Sequence, residues 1–125
     1  MRIIAGMAVL VVIGGAAASP GQPESEFRNL KVLPKDISSK RLQQIMVDEF
    51  DDGLGVGCGF CHAEAKGSHK LDYASDAKPE KSIARGMMRM AIKMNRKYFQ
   101  LKHPMIGDST LVVTCSTCHR GQARP

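Results

Sequence analysis

Leu42, Ile45, Met46 and Phe50 recur at helical intervals, and Ser38 or Ser39 stands before them as a ready cap. Gly53, Gly55 and Gly57 follow closely, so this pattern predicts a helix that ends in a flexible turn. A second and longer pattern runs from Lys78 to Gln100. Pro79 falls in its first turn, where a missing N–H costs nothing. Ile83, Met87, Met90, Met94 and Tyr98 then recur at spacings of four, three, four and four, one stripe of a 3.6-residue helix. Arg85, Arg89, Lys93 and Arg96 are expected on the other side. The pattern is mainly α, with no βαβ alternation.

The chain begins differently. Met1-Arg2 is a short positive start, Ile3 to Ile13 is apolar apart from Gly6, and Ala16-Ala17-Ala18 precedes Ser19-Pro20. This is the layout of a secretory signal cleaved after Ala18. The apolar run is shorter than the roughly 20 residues of a spanning helix, which makes an uncleaved anchor the lesser reading. Residues 1–18 are therefore expected to be a cleaved signal, 19–28 a flexible N-terminal segment and 29–125 one domain. Export places the protein in the periplasm, where disulfides are permitted.

Composition directs attention to sulfur: four Cys and eight Met occur in 125 residues. Two Tyr, four Phe and no Trp supply no stacking platform for nucleic acid. All four cysteines fall in two motifs, Cys58-Gly-Phe-Cys61-His62 and Cys115-Ser-Thr-Cys118-His119. C-x-x-C-H is the attachment pattern of c-type haem. Two thiols three positions apart reach the two vinyl groups on one edge of a porphyrin, and the following imidazole becomes the proximal iron ligand. A zinc ribbon would hold its pairs some 15–20 residues apart, whereas Cys61 and Cys115 are 54 apart. Paired disulfides leave the two histidines unexplained. The motifs therefore predict two haem c groups, held by Cys58, Cys61, His62, Cys115, Cys118 and His119.

Nothing after His119 is a good iron ligand, so the second iron must draw its distal ligand from upstream. Met87, Met90 and Met94 share the long helix, and periodicity does not separate them. His103, between that helix and the second motif, is a rival. His69 and His103 both read as exposed loop residues. Met46 is the single Met of the first helix. The chain reads as one unit used twice: a Met-bearing helix, a loop, then C-x-x-C-H, with each haem packed against the helix before it.

From about Asn29 onward the chain resembles the first half of the cytochrome subunit of photosynthetic reaction centres, a four-haem family. The resemblance rests on Ala84-Arg85-Gly86-Met87-Met88-Arg89-Met90, on Asn95 and Tyr98, and most closely on residues 113–121 around the second motif. It implies distal methionines on the helix before each motif, which fall on Met46 and Met87. It also implies a small multihaem fold with two helix–loop–C-x-x-C-H units around two covalent haems. The chain departs from the family in having two motifs. It also has Leu101 where the family carries a His for a later haem. Respiratory and photosynthetic chains both stay open.

The formal charge is +6, and the propionates of two haems would offset most of it. Its distribution says more. Residues 42–65 hold Asp48, Glu49, Asp51, Asp52 and Glu64 and no base, while residues 78–102 hold eight bases and one acid. Such a basic run can steer an acidic redox partner. The expected function is one-electron transfer with other redox proteins, among them a membrane-bound complex or reaction centre. No nucleic acid and no small-molecule substrate is expected. The rival is a dihaem, peroxidase-like enzyme, which needs an open iron and nearby acid–base groups; two available methionines argue against it.

Overall fold

A computed structural model describes residues 27–125. The expected signal, and the 19–28 segment up to residue 26, lie outside them. In order, the elements are α1 (Ser39–Ile45), a π-helical segment (Met46–Asp52), a 3-10 turn (Cys58–Phe60), β1 (Ala63–Glu64), β2 (Leu71–Asp72), α2 (Pro79–Tyr98) and α3 (Cys115–His119). Helix dominates. The strands form one short antiparallel hairpin, with Ala63 opposite Asp72 and Glu64 opposite Leu71. No helix among the described residues is long and apolar enough to cross a membrane.

Local signals account for the helix ends. The Ser38 hydroxyl caps α1 by accepting the Arg41 N–H at 3.3 Å. Beyond Ile45 the helix does not stop but widens into π-helical turns that begin at Met46. Gly55 then turns the chain with φ +65, and a side chain there would run into the Gly121 carbonyl. α2 starts at Pro79, carries Glu80 in its first turn and Arg96 and Lys97 in its last. That charge order suits the helix dipole.

The core is small. Leu33, Ile45, Met88, Ala91 and Ile106 form its buried centre, and Val32, Ile37, Leu42, Met46, Phe50 and Ile92 pack around it. Ile45 of α1 and Met88 of α2 both belong to it. So few buried side chains give limited hydrophobic stabilisation.

α2 differs from the sequence expectation in which side it buries. Its buried residues are Lys81, Met88, Ala91 and Asn95. Ile83, Met87 and Met90 are 58%, 45% and 49% exposed, and Tyr98 is exposed as well. At about 100° per residue the apolar stripe lies roughly a third of a turn away from the buried side. Both sides carry apolar residues at helical spacing, so the pattern alone does not tell them apart. Two of the expected surface charges also move inward. Arg85 donates to Asp76 at 2.7 Å and to the Asn29 carbonyl at 2.9 Å, and Lys81 is buried. α2 thus has three sides: one on the core, one a free methionine stripe, and one basic.

Candidate functional site

The first cysteine pair lies on the 3-10 turn. The Phe60 N–H bonds the Gly57 carbonyl at 2.9 Å, and the His62 N–H bonds the Cys58 carbonyl at 3.0 Å. Cys58, Cys61 and His62 therefore share one tight turn. Lys78, at the threshold of α2, donates to the Gly59 carbonyl and ties the turn to that helix. The His62 ring stands edge-on to the Tyr73 ring at 5.0 Å between centroids. Its Nδ1 atom is buried without a hydrogen-bond partner. Burial, reinforced by the Lys81 charge, lowers the His62 pKa, while the Tyr73 backbone acts weakly the other way. That direction favours the neutral imidazole, the form that ligates a metal.

The second pair lies on α3. Thr114 and Thr117 make a reciprocal capping box at its start, with the Thr114 N–H on Thr117 Oγ1 at 2.9 Å. Arg120 closes it in the left-handed region, φ 51. His119 Nδ1 lies 2.9 Å from the Gln122 carbonyl. That partner can only accept, so Nδ1 carries the proton and the Nε2 lone pair is left for a metal. A carbonyl behind a ligating imidazole is a recurrent second partner in metal sites.

Two long-range clamps hold this second segment. Asn95, fully buried, accepts the N–H groups of Val112 and Val113 at 2.9 and 3.1 Å and donates to the carbonyls of Val113 and Ala91 at 2.7 and 3.0 Å. All four of its hydrogen bonds are made. Glu49 of the π-helical segment, also buried, accepts the Cys115 N–H at 3.2 Å. The Gly121 N–H reaches the Gly53 carbonyl at 3.0 Å. The bracing is crossed. The first attachment turn rests on the start of the second helix, and the second attachment helix rests on the end of the first.

Cys61 and Cys115 are not primed for exchange chemistry. Burial, then the hydrogen bond and charge of Glu49, push the Cys115 thiol up to about 12. Burial and Glu80 also raise Cys61. Redox-active C-x-x-C pairs need the opposite shift. All four cysteines are free thiols. Among the described residues no three His, Cys, Asp or Glu side chains converge on one point.

The other expected ligands are placed as follows. Met46 is half-buried at the first π-helical position, against the core. Met87 and Met90 lie on the exposed stripe of α2, with Met94 half-buried beside them. His69 is fully exposed on the hairpin loop, 3.7 Å from Glu64, and His103 is exposed. Sequence reasoning missed Glu49, Lys81, Tyr73 and Gln122 as neighbours of the motifs. Only Gln122, three residues from His119, offered a local cue.

Paired thiols followed at once by an imidazole are the donor set of a c-type cytochrome. Comparison with known proteins agrees. The family described as photosynthetic reaction centre cytochrome C subunit matches residues 6–125, and the chain belongs to it. The photosynthetic reaction center cytochrome c subunit of Rubrivivax gelatinosus is 36% identical over 100 residues, which cover 79% of this chain and 24% of that one. Cytochrome c-554 of Chloroflexus aurantiacus is 32% identical over 91 residues, covering 73% of this chain and 20% of its own. The chain thus spans about a fifth to a quarter of the length of these relatives. Both are cytochromes, proteins of electron transport through haem.

Proposed function

We propose that this chain is an exported, periplasmic one-electron carrier with two covalent haem c groups and no catalytic activity of its own. One group would be held by Cys58, Cys61 and His62, the other by Cys115, Cys118 and His119. Met46 and Met87 are the proposed distal ligands. The observation that carries the reading is the use of every cysteine in two tight turns, each followed at once by an imidazole. The exposed stripe of Ile83, Met87 and Met90 on α2 adds apolar surface.

When bound, each group supplies a ferric–ferrous couple, with a thioether–imidazole pair raising its potential relative to two imidazoles. The chain's own residues do the rest. The cysteines make the tether permanent. Gln122 orients the His119 ring, and Tyr73 packs against that of His62. Glu49 and Asn95 fix the second segment against both helices. Two haems would also add apolar bulk and covalent staples to a core that has little of either.

The proposed partners are other redox proteins, with a membrane-bound complex or a reaction centre among them. The basic side of α2 supports an acidic partner. Arg89, Lys93, Arg96 and Lys97, with Lys31, surround a shallow cavity of about 470 Å³ floored by Val32 and Ile92. Among the described residues no acid pairs with Arg89, Lys93, Arg96 or Lys97.

The test is mass spectrometry and pyridine haemochrome analysis of protein purified from a host that matures c-type cytochromes. The expected result is the added mass of two haems and a haem-to-protein ratio of two. A colourless product at the bare chain mass would refute the reading, and a ratio of one would refute its two-haem form.

A further inference from the structure

Lys81 is a cation inside a protein with few buried residues. It is 8% exposed, and a buried charge persists only where its hydrogen bonds are met. Here they are. Its ammonium donates to the Tyr73 carbonyl at 2.6 Å and to the Ser75 carbonyl at 2.7 Å, and it stands 3.7 Å from Asp76. Two of its three donors are taken by carbonyls, and the Asp76 carboxylate faces it as an ion-pair partner at longer range. Asp76 does not belong to Lys81 alone: Lys31 reaches it at 2.6 Å and Arg85 at 2.7 Å. One carboxylate therefore faces three cations. Asp72 is the other acid whose field reaches Lys81. The cluster keeps an excess of positive charge.

This cluster lies beside the first attachment turn. The backbone segment that Lys81 holds carries Tyr73, whose ring packs against His62. The Lys81 charge acts on both Cys61 and His62. At the second motif the buried charged side chain is instead Glu49, whose carboxylate accepts the Cys115 N–H.

We infer that Lys81 is a positioning and charge-setting residue for the first attachment site. From the second helix it holds Tyr73 against the His62 imidazole and places a fixed positive charge beside it. The potential of the group bound there is thereby raised while that of the other is not. A neighbouring cation favours the ferrous state, which carries one positive charge fewer. The inference rests on the two-haem reading and deepens it.

The test is spectroelectrochemistry at fixed pH on the haem-loaded protein, with electron paramagnetic resonance of the ferric state. Lys81→Met should lower one of the two midpoints and leave the other in place, with two haems still bound. Asp76→Asn, which leaves Lys81 and removes the nearest negative charge, should raise the same midpoint. Lys81→Arg should keep it close to wild type. Tyr73→Leu should broaden the low-spin signal of that haem with a smaller change in midpoint. Equal movement of both midpoints, no movement, or an upward shift in Lys81→Met overturns the inference. If Lys81→Met does not accumulate, Asp76→Asn decides: an unmoved or lowered midpoint is equally fatal. A wild-type protein without haem counts against the carrier reading instead.

Discussion

Glu49 accepts the backbone N–H of Cys115 at 3.2 Å across 66 residues of sequence. By this bond the end of the first helix caps the start of the second attachment helix. A charged acceptor on an N-terminal N–H also meets the positive end of the helix dipole. The carboxylate is buried, so the bond is not shared with bulk water. Glu49→Leu leaves the Cys115 N–H without a partner. The expected cost is about 1–3 kcal/mol in denaturant unfolding of the loaded protein. The loss should be accompanied by reduced haem content at the second motif. Unchanged unfolding and full occupancy would show that the bond holds nothing.

Asn95 should be the more sensitive site. Its side chain makes four hydrogen bonds inside the core, three of them to Val112 and Val113 just ahead of Cys115. Asn95→Leu strands the N–H groups of Val112 and Val113 and the Val113 carbonyl. Asn95→Asp keeps the acceptor but loses the donor and adds a charge. Both are expected to cost at least about 2 kcal/mol, the cost of a few unsatisfied buried groups. Thermal unfolding followed at the haem absorbance and by circular dichroism checks this. A shift of a degree or less in Asn95→Leu would contradict it.

These two clamps show where sequence reading stops. The attachment turns, the Ser38 cap and the Pro79 start are local, written in residues a few positions apart, and they were legible. α2 was legible as a helix, but not the side it buries. Met88, Ala91, Ile92 and Asn95 have the same periodicity as Ile83, Met87, Met90 and Met94, and both sets are rich in apolar residues. Lys81 and Arg85 read as surface charges. Their burial depends on Asp76 and on the carbonyls of residues 29, 73 and 75, which the fold alone brings together. The widening of the first helix at Met46 has no sequence signature of its own. The crossed bracing joins positions 49 to 115 and 53 to 121, separations at which periodicity carries no information.

Asp76 gives the fold a pH dependence. Hydrogen bonds from Lys31 and Arg85, with Asn29 adding a third, hold its carboxyl well below the usual carboxylate range. A carboxyl whose folded pKa is depressed stabilises the fold above its unfolded pKa, about 3.9. That stabilisation is lost as the pH falls toward the folded value. Asp76→Asn should therefore be less stable than wild type by a constant margin from pH 7 to about 5, and the margin should close below about pH 4. Urea midpoints across that range test it. A margin that widened on acidification would reverse the sign and refute the assignment.

Met87 and Met90 lie on the same exposed side of α2, one turn apart. On the proposed reading Met87 is the distal ligand and Met90 is apolar cover. Met87→Ala should abolish, for one haem, the weak long-wavelength band of thioether-bound ferric iron. It should also open that iron to carbon monoxide in the reduced protein. Met90→Ala should leave both features as in wild type. The opposite result would move the ligand by one turn. Carbon monoxide binding by the unaltered reduced protein would favour an enzyme over a carrier, since both irons would otherwise be closed.

The basic side of α2 lends itself to a kinetic test that leaves the fold alone. Arg89, Lys93, Arg96 and Lys97 are exposed and carry no ion pair among the described residues. Charges of this kind raise association rates with an oppositely charged partner rather than adding stability. Lys93→Glu/Arg96→Glu should bind and load haem as wild type does and unfold at the same denaturant concentration within about 0.5 kcal/mol. Its electron exchange with an acidic redox protein should be slower at low salt. The gap should close as ionic strength rises past about 0.1 M, where the Debye length falls to about 10 Å. Stopped-flow rates against salt concentration separate the outcomes. A salt-independent difference would indicate a damaged site, and equal rates at every ionic strength would show that this side of the molecule faces only water.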